Sequence, residues 1–215
     1  MRVGVLGGTF DPIHYGHLII AQEALEALDL ATVIFVPSAQ PPHKPAYEVT
    51  AGEHRYRMVE LALAEDQRFS ISDTEQRRVG RSYTIDTLRE MSRSLPSGDE
   101  LCFLVGSDTV PELSTWKDVR HFPEFCRLIV IARPGYPLDV VSTLGALFPD
   151  QVVEQVHRDA LVIDPIGISA TAIRGKVAQG RSISYLVPEP VRLYIKEHKL
   201  YRCEAEPASS PPSAT

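Results

Sequence analysis

Short apolar runs with the character of β-strands alternate along this chain with stretches whose apolar residues recur at helical spacing. The first run is Val3 to Leu6. The stretch after it has apolar residues along one face of a helix, at Leu18, Ala21, Leu25 and Leu28. Further strand-like runs are residues 33–36, 69–71, 101–105, 128–132 and 160–163. Because strands joined through helices pair in parallel, the alternation predicts an α/β fold with helices on both faces of its sheet.

Later stretches of the chain carry the signals of helix ends. Thr50-Ala51-Gly52-Glu53 has the spacing of a capping box and is expected to open a helix that ends near Leu63. The other predicted helices span residues 82–95, 170–180 and 190–198, and the last has a proline in its first turn. These elements indicate a Rossmann-like, doubly wound parallel sheet with a small C-terminal helical part.

The length of the chain suits one domain. A chain of 215 residues, 44% of them hydrophobic, can bury the core of one α/β domain but not comfortably of two. We therefore expect residues 1–203 to form a single domain. Residues 204–215 are rich in Pro, Ser and Ala without an apolar period, and we expect this tail to be disordered.

Charge, hydropathy and cysteine usage exclude several classes of protein. A net charge of −6 argues against a protein that grips nucleic acid through its phosphates. The apolar runs are too short to cross a bilayer, and the first residues lack the pattern of a signal peptide, so we expect a cytoplasmic protein without a membrane partner. Cys102, Cys126 and Cys203 are widely spaced, which argues against a disulfide or zinc framework. Cys102 and Cys126 are expected to be inert core thiols.

The loop after the first strand carries the strongest chemical signal. Its sequence is GGTFDPIHYGH, residues 7–17. Glycines at 7 and 8 let the backbone approach a polyphosphate, and the start of the following helix adds free N–H groups and a partial positive charge. His14 and His17 lie three residues apart, so both imidazoles can donate hydrogen bonds to phosphate oxygens from one face of the first turn. Ligands of such sheets bind at the carboxyl ends of the strands, where this loop lies.

Other interpretations of the same loop remain open at this level. A His-x-x-His pair can hold a metal, although no Cys or third His is suitably placed in the sequence. A Gly-rich turn can also bind the dinucleotide of a dehydrogenase. This loop lacks the full G-x-G-x-x-G spacing and carries two histidines that such a turn does not need.

The loop resembles the GGTFDPxHxGH signature of the HxGH nucleotidyltransferase superfamily, and within it the bacterial nicotinate-nucleotide adenylyltransferases. Seven further segments match that family in order between residues 37 and 201: PSAQPPHK, SYTIDTL, GSD, WK, ARPG, ISATAIR and LVPEPVRLYIKEHKLY. The resemblance thus covers about residues 1–201. It implies an enzyme of pyridine nucleotide biosynthesis that transfers the adenylyl group of ATP to nicotinate mononucleotide and releases pyrophosphate.

The resemblance implies a set of ATP-binding residues, of which His14, His17 and Arg174 are the expected catalytic ones. The set is Gly7, Gly8, Thr9, Phe10, His14, Gly16, His17, Asp108, Ser169, Thr171 and Arg174. Ser169 is placed to cap the helix that follows, and Arg174 adds a permanent cation one turn further on. The family usually reads ISSTxIR, whereas this chain has Ala170 at the second serine, so that hydroxyl contact does not carry over.

The resemblance also implies residues that bind the second substrate: His43, Lys44, Tyr83, Thr84 and Trp116. Arg133 follows another strand end and is expected to be a charge on the substrate side. Trp116 would stack on the pyridine ring. The helix that begins near Tyr83 and Thr84 presents backbone N–H groups, which suit a nicotinate carboxylate better than a neutral nicotinamide. Without the family match, His43 and Lys44 would be interpreted as solvent-exposed loop residues, and Trp116 as a residue that packs in the core.

The chemistry implies Mg²⁺ with ATP, because magnesium keeps several waters and needs few protein ligands. Three rival functions are a phosphopantetheine adenylyltransferase, a nucleotide-binding regulator without catalysis, and a dehydrogenase that holds NAD. The sequence does not determine the oligomeric state, and it is compatible with a homo-oligomer.

Overall fold

A computed structural model describes residues 1–40, 49–132, 138–164 and 166–202. Five parallel strands form one sheet in the order β3-β2-β1-β4-β5. Their bounds are β1 Arg2–Gly8, β2 Thr32–Pro37, β3 Phe69–Ile71, β4 Glu100–Gly106 and β5 Arg127–Ile131. The order reverses between β1 and its neighbour β4, which creates the crevice where ligands of such sheets bind. The predicted α/β fold class is confirmed.

Seven α-helices surround the described part of the sheet. They are α1 Tyr15–Ala27, α2 Gly52–Leu63, α3 Thr74–Arg77, α4 Thr84–Ser94, α5 Asp150–Asp159, α6 Ala170–Ala178 and α7 Glu189–Glu197. Three 3₁₀ segments are also described: Val110–Thr115 and Val119–Glu124 lie between β4 and β5, and Leu138–Ala146 lies between β5 and α5. The predicted C-terminal helical part corresponds to α6 and α7.

Two apolar clusters cover the two faces of the sheet. One face packs against α1, α2, α6 and α7 around residues such as Phe35, Met58 and Ile173, all of which are fully buried. The other face packs against α4 and the 3₁₀ segments around Leu88, Leu113 and Phe122. Side chains on both faces are buried because successive residues of a strand point to opposite sides, which explains the continuous apolar runs of β1, β4 and β5.

Some local predictions were wrong. Residues 160–163 form no strand: Leu161 makes an isolated bridge to Ile131. The helix α2 begins where expected, but its N-cap is Ala51 and no side chain caps it, so the capping box does not form. On α1, the buried positions are Gly16, Ile20, Ala21 and Ala24, and the leucines of the expected face are only partly buried. The strands β1 and β2, against which α1 packs, set this rotation, and the period of one helix does not reveal it.

The buried thiols behave as expected. Burial raises the pKa of Cys102 to about 11 and that of Cys126 to about 12, so both remain neutral and unreactive at physiological pH. Cys203 and the predicted disordered tail, residues 204–215, lie outside the described residues. None of the described helices combines the length and the apolarity needed to span a bilayer.

Candidate active site

A cleft of about 460 Å³ opens at the carboxyl ends of β1 and β4. Its floor includes the residues of the first loop and its walls come from α4 and the segment after β4. Of the predicted site residues, those that line it are Gly7, Gly8, Thr9, Phe10, His17, Tyr83, Thr84, Asp108 and Trp116. The structure therefore brings the predicted ATP-binding loop and part of the predicted second-substrate site into one cavity.

The two histidines stack at the start of α1. Their ring centroids are 3.8 Å apart with an interplanar angle of 23°. The backbone N–H of His14 donates to Nδ1 of His17 over 3.3 Å. A ring nitrogen that accepts a hydrogen bond carries no proton, so neutral His17 has its proton on Nε2, which makes Nε2 a donor. The Phe10 ring meets His17 edge to face at 4.9 Å and restricts its rotation.

Two glycines permit this close arrangement. A Cβ at position 16 would lie 2.9 Å from Nδ1 of His14, and a Cβ at position 8 would lie 3.0 Å from the Phe10 ring. The first distance is shorter than Cβ atoms show in real structures, and the second would require the Phe10 ring to move by a few tenths of an ångström. The glycines of this loop therefore leave room for the rings of His14 and Phe10, in addition to the role that the sequence predicts in approaching phosphate.

Gly16→Ala is expected to reduce kcat/KM for ATP at least about tenfold while the fold persists. The added methyl group pushes the His14 ring away, and misplacement by about 1 Å can cost up to about a hundredfold in rate. Alanine also favours the helix, so the melting temperature should change little. The matched control is Gly175→Ala in α6, where a Cβ meets nothing within 4 Å and activity should be unchanged. Wild-type kcat/KM in Gly16→Ala would contradict this account of the packing.

The helix α6 meets the first loop through Arg174. Its Nη1 donates to the backbone carbonyl of Asp11 over 2.7 Å, which places the guanidinium on the same side of the molecule as the histidines. Ser169 caps the helix as predicted, since its Oγ accepts from the amide of Ala172. Ser169 and Thr171 are exposed, and Ala170 lines the cleft. The start of α6 therefore adjoins the cleft, with an alanine methyl where the related family usually has a hydroxyl.

The opposite wall of the cleft carries aromatic and charged groups. Tyr83 precedes α4 as its N-cap, and Thr84 is its first residue. Nζ of Lys117 lies 4.7 Å from the centroid of the Tyr83 ring and 3.1 Å from a carboxylate oxygen of Asp86. Trp116 is half-buried beside Phe103, and the centroids of the two rings are 6.3 Å apart. Lys117 also lines the cleft, and no role for its positive charge was predicted from the sequence.

Three predicted substrate residues, His43, Lys44 and Arg133, lie outside the described residues.

Sequence reasoning missed Arg55, to which it assigned no chemistry. This arginine of α2 is 1% exposed and donates to four backbone carbonyls, those of Thr9, Ser38, Ala39 and Thr50, at 2.6–2.9 Å. Burial lowers the pKa of its guanidinium, whereas the charge of Asp11 opposes this effect. Arg55 shares a helical face with Met58 and Val59, so an arginine at an apolar position was the signal that could have revealed it.

Asp11 was missed as well. Its Oδ1 accepts from the hydroxyl of Tyr201 at 2.7 Å, and its Oδ2 accepts from the amide of Thr50 at 3.2 Å. Burial, followed by the charge of Asp11, raises the pKa of Tyr201. Asp11 thus ties the first loop to the segment just before α2 and to the C-terminal end of the described chain, 190 residues away.

The sheet order and the phosphate-compatible loop at its reversal define an α/β nucleotide-binding protein of the Rossmann type. Residues 5–176 match the cytidylyltransferase-like family. Over 202 residues, 94% of this chain and 100% of the relative, the sequence is 46% identical to a Thermus thermophilus protein named "Probable nicotinate-nucleotide adenylyltransferase". A Geobacter metallireducens protein with the same name is 43% identical, with 94% and 98% of the two chains covered. The chain therefore belongs to the cytidylyltransferase-like family, among the nicotinate-nucleotide adenylyltransferases.

A solved structure shares the fold. The Plasmodium falciparum nicotinic acid mononucleotide adenylyltransferase in complex with NaAD superposes with a TM-score of 0.72, over 93% of this chain and 97% of that chain. Its sequence identity is 18%. At that identity the likeness concerns the fold.

Proposed function

We propose that this protein transfers the adenylyl group of ATP to nicotinate mononucleotide, which yields nicotinate adenine dinucleotide and pyrophosphate in NAD biosynthesis. The observation that carries this proposal is the single cleft that joins the His17 loop to Tyr83, Thr84 and Trp116. One cavity can then hold both nucleotides with their phosphates adjacent. The curated relatives of 41–46% identity bear the name of this activity.

The reaction needs positioning more than proton transfer. A phosphate oxygen of the mononucleotide forms a bond to the α-phosphorus of ATP, and the bond from that phosphorus to the bridging oxygen of pyrophosphate breaks. The attacking phosphate monoester is already largely ionised near neutral pH. Catalysis therefore comes from alignment and from stabilisation of the developing charge.

Three side chains are proposed to stabilise that charge. His17 presents Nε2–H, and its ring is held by the His14 amide and by Phe10. His14 is 3% exposed and packs directly beneath it. Arg174 adds a permanent cation beside the same loop. This arrangement supports the roles that the resemblance implies.

Magnesium is proposed to enter with ATP. Among the described residues no group of three or more His, Cys, Asp and Glu side chains could hold a metal. Magnesium commonly binds nucleotides through their phosphate oxygens and keeps several waters, so it would need few ligands from the chain itself. When bound, the ion would neutralise charge on the leaving pyrophosphate.

The decisive experiment measures pyrophosphate release from ATP with one of three acceptors: nicotinate mononucleotide, nicotinamide mononucleotide or phosphopantetheine. We expect the highest kcat/KM with nicotinate mononucleotide, because the start of α4 offers N–H groups to its carboxylate. Faster release with phosphopantetheine would assign the protein to the rival adenylyltransferases. Binding of ATP without release in any mixture would favour a regulator.

A further inference from the structure

A carboxyl group is buried in the wall of the cleft where the second nucleotide is proposed to bind. Glu75 of α3 is 6% exposed and lines the cleft together with Tyr83 and Thr84. Its Oε1 accepts from Oγ1 of Thr87, on α4, over 2.8 Å. Its Oε2 is buried and makes no hydrogen bond to any residue that the structure describes. A buried, unsatisfied oxygen beside a binding cleft is costly unless it is protonated or meets a ligand.

The surroundings of Glu75 hold the carboxyl in place. Ser82 Oγ accepts from the amides of Ala39 and Gln40, both over 3.2 Å, and lies close to Glu75. Nη1 of Arg78 donates to Oγ1 of Thr87 over 3.0 Å. The carboxyl therefore lies at the junction of the loop after β2 with the start of α4.

Burial raises the pKa of Glu75 above its usual value, and this effect is the largest. The hydroxyls of Thr87 and Ser82, the charge of Arg78 and the nearby Ala39 amide act in the opposite direction. Other charged or titratable groups around this part of the cleft are Arg55 from α2, Asp11 and His17 from the first loop, and Asp108, Glu112 and Lys117 from the segment after β4. The charge that acts most directly on Glu75 is that of Arg78, which limits the rise of the pKa but leaves burial dominant.

We infer that Glu75 is a specificity-determining residue, whose Oε2 faces the pyridine substituent and favours a carboxylate there when Glu75 is neutral. This inference rests on the proposed function. A neutral carboxyl donates its O–H to the nicotinate carboxylate. An ionised carboxyl repels that carboxylate and instead accepts from the amide N–H of nicotinamide. The protonation of one buried group thus sets which mononucleotide is preferred.

The test is the ratio of kcat/KM for nicotinate mononucleotide to that for nicotinamide mononucleotide, followed from about pH 5.5 to about pH 9. The phosphate of either nucleotide titrates alike and ATP is common to both, so these effects cancel in the ratio. In the wild type the ratio should fall about tenfold or more with rising pH. A tenfold fall corresponds to a difference of about one unit between the pKa of Glu75 with nicotinate mononucleotide and its pKa with nicotinamide mononucleotide. The ratio falls because Glu75 loses its proton.

Glu75→Gln keeps a neutral donor of the same shape at every pH, so its ratio should stay constant within about twofold. The matched control Glu60→Gln makes the same change on the exposed face of α2 and should follow the wild type. Thr87→Val removes the donor to Oε1 and thereby disfavours the ionised form, so the fall in the ratio should move to higher pH. A merely structural role would not shift that midpoint.

The inference is overturned if the wild-type ratio does not change with pH, or if Glu75→Gln follows the wild-type curve. An unchanged dissociation constant for ATP verifies that each variant retains its fold. Failure of the proposed function gives a different result, because the wild type would then form no product with either mononucleotide at any pH.

Discussion

His17→Ala is expected to lower kcat about a hundredfold or more while the dissociation constant for ATP changes little. The ring presents Nε2–H beside the Gly-rich loop, and its orientation is fixed by the His14 amide and by the contact with Phe10. A preorganised donor that meets charge only as it develops acts on the transition state more than on bound substrate. Loss of such a donor typically costs roughly 3 to 4 kcal/mol of barrier.

Single-turnover kinetics with saturating ATP and nicotinate mononucleotide would measure this effect on the chemical step. His157→Ala is the matched control, because that histidine is exposed on α5, away from the cleft, and its loss should leave kcat unchanged. The role proposed for His17 would be refuted by near-normal turnover in His17→Ala. A weakened affinity for ATP with unchanged kcat would instead assign His17 to ground-state binding.

Arg55→Met is expected to lower the free energy of unfolding by about 3 to 5 kcal/mol. The substitution keeps an apolar stem of similar length but leaves four carbonyl oxygens of the cleft loops without their donor. Each buried group that loses its partner costs roughly 1 to 3 kcal/mol, although some of these oxygens will find water. Because the carbonyls belong to the loops after β1 and β2, affinity for both nucleotides should fall as well.

Urea denaturation followed by circular dichroism would measure this loss. The control is Arg57→Met on the same helix, where the guanidinium is about half exposed and contacts Glu60, so its replacement should change stability by less than about 0.5 kcal/mol. The free energy of unfolding of Arg55→Lys should lie between those of Arg55→Met and Arg57→Met, since an ammonium has three donors for four carbonyls. Equal stability of the two methionine variants would contradict the role given to Arg55.

The local sequence was enough to predict the fold class and five of the six proposed strands. Continuous apolar runs can only be buried on both faces of a sheet, and helices between them require parallel pairing. The sixth run, residues 160–163, forms only the bridge at Leu161. Within this run, all of which the structure describes, only Leu161 bonds to the backbone of the edge, donating to Val130 and accepting from Ala132, so no ladder extends along the run. The helices α3 and α5 and the 3₁₀ segments were not predicted from the sequence. Short elements of this kind depend on tertiary packing for their stability.

The sequence by itself determined the parallel sheet, the phosphate-compatible loop after β1 and the serine cap of α6, because each depends on residues close together in the chain. The tertiary structure alone decided that Asp11 meets Arg174 and Tyr201, that Arg55 joins three segments, and that Glu75 is buried in the cleft wall. These contacts bring together residues that are distant in sequence. Burial and hydrogen-bond geometry, the quantities that define their chemistry, exist only after the chain has folded.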